Sequence, residues 1–264
     1  MEHYLWEPQH LLKTLGSRVA AKARGETLIA TFYRTIRSQE VPLNLLFNVF
    51  LRLAPARVRT RLLSGFAREP SSLPAGPMCL VHAEEQKYIQ PDVLLESDTE
   101  RVLIEMKVGH HLTLDQVRRY CLLHAARNLA PHYKIPFLYF LTRGRVHENW
   151  HPESAKAEIR EQGLEAYLRP RLAVWEFEPG MLAKAGVTKQ QVSPVLSDLR
   201  IGVATWQEIG DVIAEEATNC ATAGGDLAEV MTYLTGDFLA DMERRSLWHA
   251  PSATSASEDS PRAG

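Results

Sequence analysis

The sequence predicts an α/β protein, a mixed central sheet flanked by helices, and three stretches carry that expectation. Residues 89–96 (I-Q-P-D-V-L-L-E) and 101–108 (R-V-L-I-E-M-K-V) are rich in β-branched and aliphatic side chains. They flank the polar run Ser97-Asp98-Thr99-Glu100, the pattern of an antiparallel β-hairpin. Residues 136–142 (P-F-L-Y-F-L-T) show no polar alternation, which suits a central strand with a parallel neighbour. Residues 113–127 place Val117, Cys121 and Ala125 on one apolar stripe, as a helix packed on a sheet requires.

The remaining elements follow in chain order. Residues 1–65 read as a helical N-terminal segment, with apolar residues at helical spacing over 27–36 and 43–53 and with Pro42 and Pro55 as punctuation. Residues 66–77, rich in proline and serine, read as a linker or surface loop. The sheet is expected to begin at 78–83 and the core to run over 78–177. Within it, a helix is predicted near 153–167 and a further strand at 171–177 (R-L-A-V-W-E-F). Residues 178–249 are expected to add helices at 206–217 and 226–244, separated by Gly224-Gly225, and 250–264 to form a disordered tail. There is no internal repeat and no Walker-type glycine loop.

The chemistry concentrates in the hairpin. A two-residue turn at Asp98-Thr99 sets Asp92 opposite Glu105. Strand side chains alternate, so Gln90, Asp92, Leu94, Leu103, Glu105 and Lys107 share one face. Ile89, Pro91, Val93, Leu95, Val102, Ile104 and Met106 share the other, which is wholly apolar. Facing carboxylates repel, and a cation between them removes the penalty. Magnesium and similar hard cations take oxygen ligands. Asp92 and Glu105 offer two, and the backbone carbonyl of Met106 a third. Such a metal activates its bound water and stabilises charge on a phosphate. Lys107, on the same face, can orient that water or neutralise the developing oxyanion. Read more plainly, E-x-K on a strand is often a solvated face with a local ion pair, and Pro-Asp is a common dipeptide. It is the two halves together, in one register, that favour a site.

In the helix that follows, Thr113 and Gln116 have capping-box spacing, and Leu112 and Val117 have that of a hydrophobic staple. Gln116 and Tyr120, four apart, share a face. Two readings stand for each: cap or site residue for Gln116, half-buried aromatic or site residue for Tyr120. The order P-D (Pro91-Asp92), E-x-K (Glu105-Met106-Lys107) and Q-x-x-x-Y (Gln116 to Tyr120) resembles the PD-(D/E)XK nuclease superfamily, and its last element resembles the helix motif of the RecB-like branch. The resemblance covers about residues 78–142. It implies a restriction-endonuclease-like core, a Mg2+ or Mn2+ cofactor held by Asp92 and Glu105, to which the Met106 carbonyl read above would add, a catalytic Lys107, and Gln116 and Tyr120 as accessory residues. It implies nucleic acid, DNA above all, as partner. Many members add an upstream glutamate, for which Glu26 is the first candidate and Glu40 and Glu84 lesser ones. Glu26 reads equally well as a first-turn acid facing the helix dipole. Some RecB-like relatives hold an iron–sulfur cluster on four cysteines; Cys79, Cys121 and Cys220 are too few.

Composition sets the outer limits. A chain of 264 residues, 45% hydrophobic, suffices for a substantial core. A net charge of −2 provides no global field for nucleic acid, so any such surface is local. Arg52, Arg57, Arg59, Arg61 and Arg68 form one candidate cluster, and Arg118, Arg119, Arg127, Arg143 and Arg145 supply others, each equally readable as a solvated face. Scattered cysteines give neither a disulfide framework nor zinc spacing. Residues 1–6 (M-E-H-Y-L-W) lack the features of a secretory signal, and 41–53, broken by Asn44, Asn48 and Arg52, is too short and polar to span a bilayer. A cytoplasmic location is the simplest expectation. His110-His111 reads as an exposed loop, and Trp175 and Trp206 as core anchors. Two function classes remain: a metal-dependent nuclease, in host defence or recombination, and a non-cleaving nucleic-acid-binding or scaffold protein that keeps the fold. Neither endonuclease nor exonuclease action is favoured, and no dimer signature is visible.

Overall fold

The computed structural model describes residues 40–67, 69–81, 89–109, 111–128, 133–223 and 226–251. The helix expected at 27–36, the tail beyond 251, and Glu26, Arg68, Glu84 and His110 lie outside them. Two helices come first, α1 (Glu40–Leu53) and α2 (Ala56–Phe66), then β1 (Cys79–Leu80), β2 (Val93–Glu96), β3 (Glu100–Met106) and β4 (Leu112–Thr113). Helix α3 (Leu114–Arg127) leads into β5 (Ile135–Thr142) and β6 (Trp150–His151). Helices α4 (Glu153–Gln162), α5 (Leu164–Ala173), α6 (Pro179–Ala185) and α7 (Lys189–Asp198) follow. The described chain closes with β7 (Arg200–Thr205), α8 (Trp206–Ala223) and α9 (Asp226–Arg244).

The main sheet has the order β1-β2-β3-β5-β7. Its first three strands are antiparallel, and β3, β5 and β7 run parallel. The sheet is therefore mixed, as predicted, with helices on both faces. Period-two alternation sorts the side chains. Val93, Leu95, Val102, Ile104, Met106, Tyr139 and Leu141 face a core made with α1, α2, α8 and α9, while Leu94, Leu103, Leu138 and Phe140 face one made with α3, α4, α5 and α7. Trp206 belongs to the first core and Trp175 to the second, so both anchor the interior as expected. Each fully buried aliphatic or aromatic side chain contributes about 1.5–3 kcal/mol. Among the described residues no helix is long and apolar enough to cross a membrane.

The hairpin register is the predicted one: Val93 pairs with Ile104 and Glu96 with Arg101, so one step further sets position 92 against 105. The Ser97 N–H closes the turn on the Glu100 carbonyl at 3.0 Å. Strand β2, however, starts at Val93 and not at Ile89, because Pro91 has no N–H for the ladder. Leu94 and Leu103 also make the predicted charged face an interior one, covered by α3.

Three expectations need correction. The helix predicted near 153–167 is two helices, broken at Gly163, whose φ of 87° suits a residue without a side chain. The strand predicted at 171–177 is absent; α5 occupies its first half, with Leu164, Tyr167, Leu168 and Leu172 buried at helical spacing. The fifth strand is β7, in the stretch expected to be helical. Its R-I-G-V-A-T carries little β signal, and close packing explains why: a Cβ on Gly202 would lie 2.5 Å from the Tyr139 ring and 2.9 Å from the Phe66 carbonyl oxygen. The stretch read as linker holds down one corner of the sheet. The N–H groups of Ala75 and Gly76 donate to the buried Glu100 carboxylate at 2.9–3.3 Å, and the Tyr139 hydroxyl donates to the Ser72 carbonyl.

The turn end of the hairpin is tied by buried polar groups. The Arg101 guanidinium donates to Glu96 at 2.5 Å, to the Asn128 side chain at 2.9 Å, and to the carbonyls of His124 and Arg127, both at 3.2 Å. It thereby closes the C-terminus of α3. Burial by itself would raise the Glu96 carboxyl, but hydrogen bonds from Lys134 and Arg101 outweigh it and hold the group below the usual carboxylate range. His124 is fully buried, and one ring nitrogen lies 3.2 Å from the Phe137 carbonyl. Burial, reinforced by the Arg101 charge, pushes it down to about 3, so the ring is neutral.

Gly202→Ala should lower unfolding stability by about 1–3 kcal/mol, because a backbone carbonyl cannot move aside; denaturant titration showing no loss would contradict this packing. An unfolded histidine protonates near 6.5, whereas His124 resists protonation until about 3. The depressed value makes its contribution full above pH 6.5 and eroded as pH falls toward 3. His124→Gln should therefore lose less thermal stability than the wild type between pH 7 and pH 4, and parallel pH profiles would exclude this linkage.

Candidate metal centre at the hairpin

Asp92 leaves the hairpin just ahead of β2, where Pro91 has ended main-chain pairing. Its carboxylate takes the place of a ladder partner: Oδ2 accepts the Met106 N–H at 2.7 Å. Oδ1 accepts from the side-chain amide of Asn44, and the Asp92 carbonyl accepts from the Asn48 amide at 2.8 Å. Asn48 also donates to the Asn44 carbonyl at 2.8 Å. Asn44 and Asn48 lie four apart on α1 and so share a face. In the sequence they stand out only as interruptions of an apolar run. The available signal was a pair of asparagines at helical spacing among Leu43, Phe47, Phe50 and Leu51, all buried, where asparagine has no helix-forming advantage.

Glu105 sits near the end of β3 and is 5% exposed. The Lys107 ammonium, 8% exposed, lies 2.5 Å from its Oε1, as residues two apart on a strand allow. The Tyr120 hydroxyl donates to Oε2, and Gln116 Nε2 donates to Oε1 at 3.4 Å. The two readings of Gln116 both hold. Its N–H donates to Thr113 Oγ1 at 3.2 Å and its Oε1 accepts the Thr113 N–H at 3.1 Å, a complete capping box, while Nε2 reaches Glu105. Tyr120 is fully buried, not half-buried. Leu112 and Val117 are buried in the same core, as a staple requires. The Lys107 backbone is fixed on both sides of its Cα: its N–H donates to the Leu141 carbonyl at 2.7 Å and its carbonyl accepts from the Trp206 indole at 3.3 Å.

Met106 joins the two acids. Its N–H meets Asp92 and it follows Glu105 in the chain. Within a strand the N–H and C=O of one residue point to the same side, so the Met106 carbonyl opens on the edge where Asp92 lies. Glu105, Lys107, Gln116 and Tyr120 are joined by side-chain contacts, and Asp92, held by α1, is tied to them through the Met106 N–H and the chain. Glu40 opens α1; Glu26 lies outside the described residues.

The donor chemistry fits a hard divalent cation. Two carboxylates and a main-chain carbonyl are available, and one more oxygen stands out: Asn44 Oδ1 is buried and has no hydrogen-bond partner. A buried acceptor left in that state costs about 1–3 kcal/mol. Among the described residues no group of three or more histidine, cysteine, aspartate or glutamate side chains could hold a metal. Two carboxylates with neutral oxygens and water are nevertheless ordinary for magnesium.

Among the described residues, several arginines of the candidate clusters have partners of their own. Arg59 donates to the Met78 and Leu51 carbonyls at 2.9 and 3.3 Å, Arg57 pairs with Glu216 at 3.3 Å, and Arg61 with Glu215 at 3.2 Å. Arg118 lies over the Trp175 ring, Arg119 pairs with Asp115 at 2.6 Å, and Arg143 donates to the Arg245 carbonyl at 3.4 Å. Arg52 and Arg145 are exposed. His111 is exposed, as expected of that loop, with its ring 6.0 Å from that of His151. Burial pushes the Cys121 thiol up to about 12, so it is inert as a nucleophile or ligand. Comparison with family models, with characterised proteins and with solved structures gives no match to this chain.

The ion pair sets a stability expectation. Lys107→Met leaves the buried Glu105 without the ammonium that pairs it and should cost about 3–5 kcal/mol in metal-free buffer. Adding Glu105→Gln to that variant should restore most of the loss. Urea titrations in chelator would read both, and a double variant no more stable than Lys107→Met would refute a coupled pair.

Proposed function

We propose that this chain is a metal-dependent nuclease with a restriction-endonuclease-like core, hydrolysing phosphodiester bonds in DNA. The observation that carries the proposal is the contact set running from Asp92 through Met106 to Glu105 and Lys107, on a hairpin whose register makes the acids neighbours. The connection order supports it too: hairpin, then the helix bearing Gln116 and Tyr120, then a strand parallel to β3. Asp92, Glu105 and the Met106 carbonyl would hold Mg2+ or Mn2+. Bound there, the ion would supply an activated water and charge stabilisation at the phosphate.

The protein groups have separable tasks. Asn44 and Asn48 hold Asp92 in place from α1. Gln116 and Tyr120 orient the Glu105 carboxylate from α3. Lys107 carries the positive charge that would meet a non-bridging phosphate oxygen or orient the attacking water, and its fixed backbone keeps that charge aimed. Proton release from the water would be assisted by neighbouring carboxylate oxygen.

One observation favours a second reading, a nucleic-acid-binding protein that does not cleave: both Glu105 oxygens already accept hydrogen bonds or an ion pair, and the residue is nearly buried. Cleavage assays separate the two. Wild type should cut linear or circular DNA only with Mg2+ or Mn2+, and Asp92→Ala, Glu105→Ala and Lys107→Ala should each reduce the rate about 100-fold or more. Equal trace activity in wild type and all three variants would end the nuclease proposal. DNA binding retained without cleavage, and without calorimetric Mn2+ binding, would select the second reading.

A further inference from the structure

We infer that Asn44 is itself a cation ligand, so that α1 contributes an oxygen to the metal centre; this rests on the metal-dependent assignment above. Asn44 Oδ1 is buried and without a hydrogen-bond partner, although an amide oxygen has two lone pairs. Buried polar atoms are nearly always satisfied, and an unplaced ion is one of the explanations for an exception; Asn44 Oδ1 is one of five such side-chain atoms among the described residues. Its location favours the ion. The nitrogen of the same amide donates to Asp92 Oδ1, so the orphaned oxygen sits within one amide group of the carboxylate that leads the donor set.

Charge balance agrees. Asp92 and Glu105 carry the two negative charges that match a divalent ion, and Lys107 lies 2.5 Å from Glu105. A neutral amide adds a ligand without adding a further negative charge, as a third carboxylate would. The local structure is rigid enough for the task. Asn48, one turn on, donates to the Asp92 and Asn44 carbonyls, and the apolar face of α1 is buried around Phe47 and Phe50. An asparagine there gives up helix propensity and leaves an acceptor unmet, and coordination accounts for both.

A purely positioning role, with Asn44 only donating to Asp92, predicts a different response to one isosteric change. Aspartate at this position cannot donate, and it places a second carboxylate beside Asp92; as a ligand, however, it is at least as good an oxygen donor. Calorimetric titration of the full chain with Mn2+ at neutral pH distinguishes the roles, with the Mn2+-induced rise in melting temperature as a second readout and circular dichroism as the check on folding. Asn44→Leu should weaken Mn2+ binding tenfold or more, and Asn44→Asp should bind at least as tightly as wild type. Weakening by both variants, or by neither, overturns the inference. Should wild type bind Mn2+, lose it in Asp92→Asn and keep it in Asn44→Leu, the nuclease assignment stands and the ligand role of Asn44 falls. Absence of wild-type binding removes both.

Discussion

Burial of β3 on both faces and both edges is the constraint from which the polar architecture follows. All seven residues from Glu100 to Met106 are buried, three of them charged, and Lys107 follows immediately. A charge removed from water is tolerated only when paired or fully hydrogen-bonded. Glu100 is met by the amides of Ala75 and Gly76, Arg101 by Glu96 and the last carbonyls of α3, and Glu105 by Lys107, Tyr120 and Gln116. Each arrangement recruits a separate stretch of chain. The strand therefore organises the loop before β1, the C-terminus of α3 and its N-terminus.

The two ends of β3 use the same physics differently. At the turn end, every direction of the Arg101 guanidinium is answered, and the cluster closes a helix terminus. At the opposite end the charges are also paired, yet an oxygen of Asn44 remains unmet and Asp92 stands at the point where proline has stopped the ladder. His124 Nδ1, at the helix end that Arg101 closes, is buried without a partner too; what sets the Asp92–Lys107 region apart is that its unmet atom is an oxygen of the amide that holds a carboxylate.

Helix α3 links fold to site. Its capping box and staple would form from local sequence, since Thr113, Gln116, Leu112 and Val117 stand within one turn. The same Gln116 that completes the cap reaches Glu105, and Tyr120 one turn later presents its hydroxyl there. Docking of α3 on the sheet and orientation of Glu105 are thus a single event. Helix α1 plays the corresponding part for Asp92 from the other face.

By itself the sequence determined what is local or periodic. The hairpin register follows from a two-residue turn, the cap of α3 from residues three apart, the central place of β5 from an unbroken apolar run, and the bounds of α9 from its helical pattern. It misplaced the last strand, because R-L-A-V-W-E-F carries strand-like residues while R-I-G-V-A-T does not. Only the tertiary structure decided between them: β7 fits where Gly202 lets it approach Tyr139 and Phe66, and Gly163 lets α5 begin where one long helix was expected. Likewise, the sequence marked Asp92, Glu105 and Lys107 through their types and spacing, but not Asn44 and Asn48. Their partner lies more than forty residues away, and no local propensity encodes a contact that exists only once a helix has docked across a sheet.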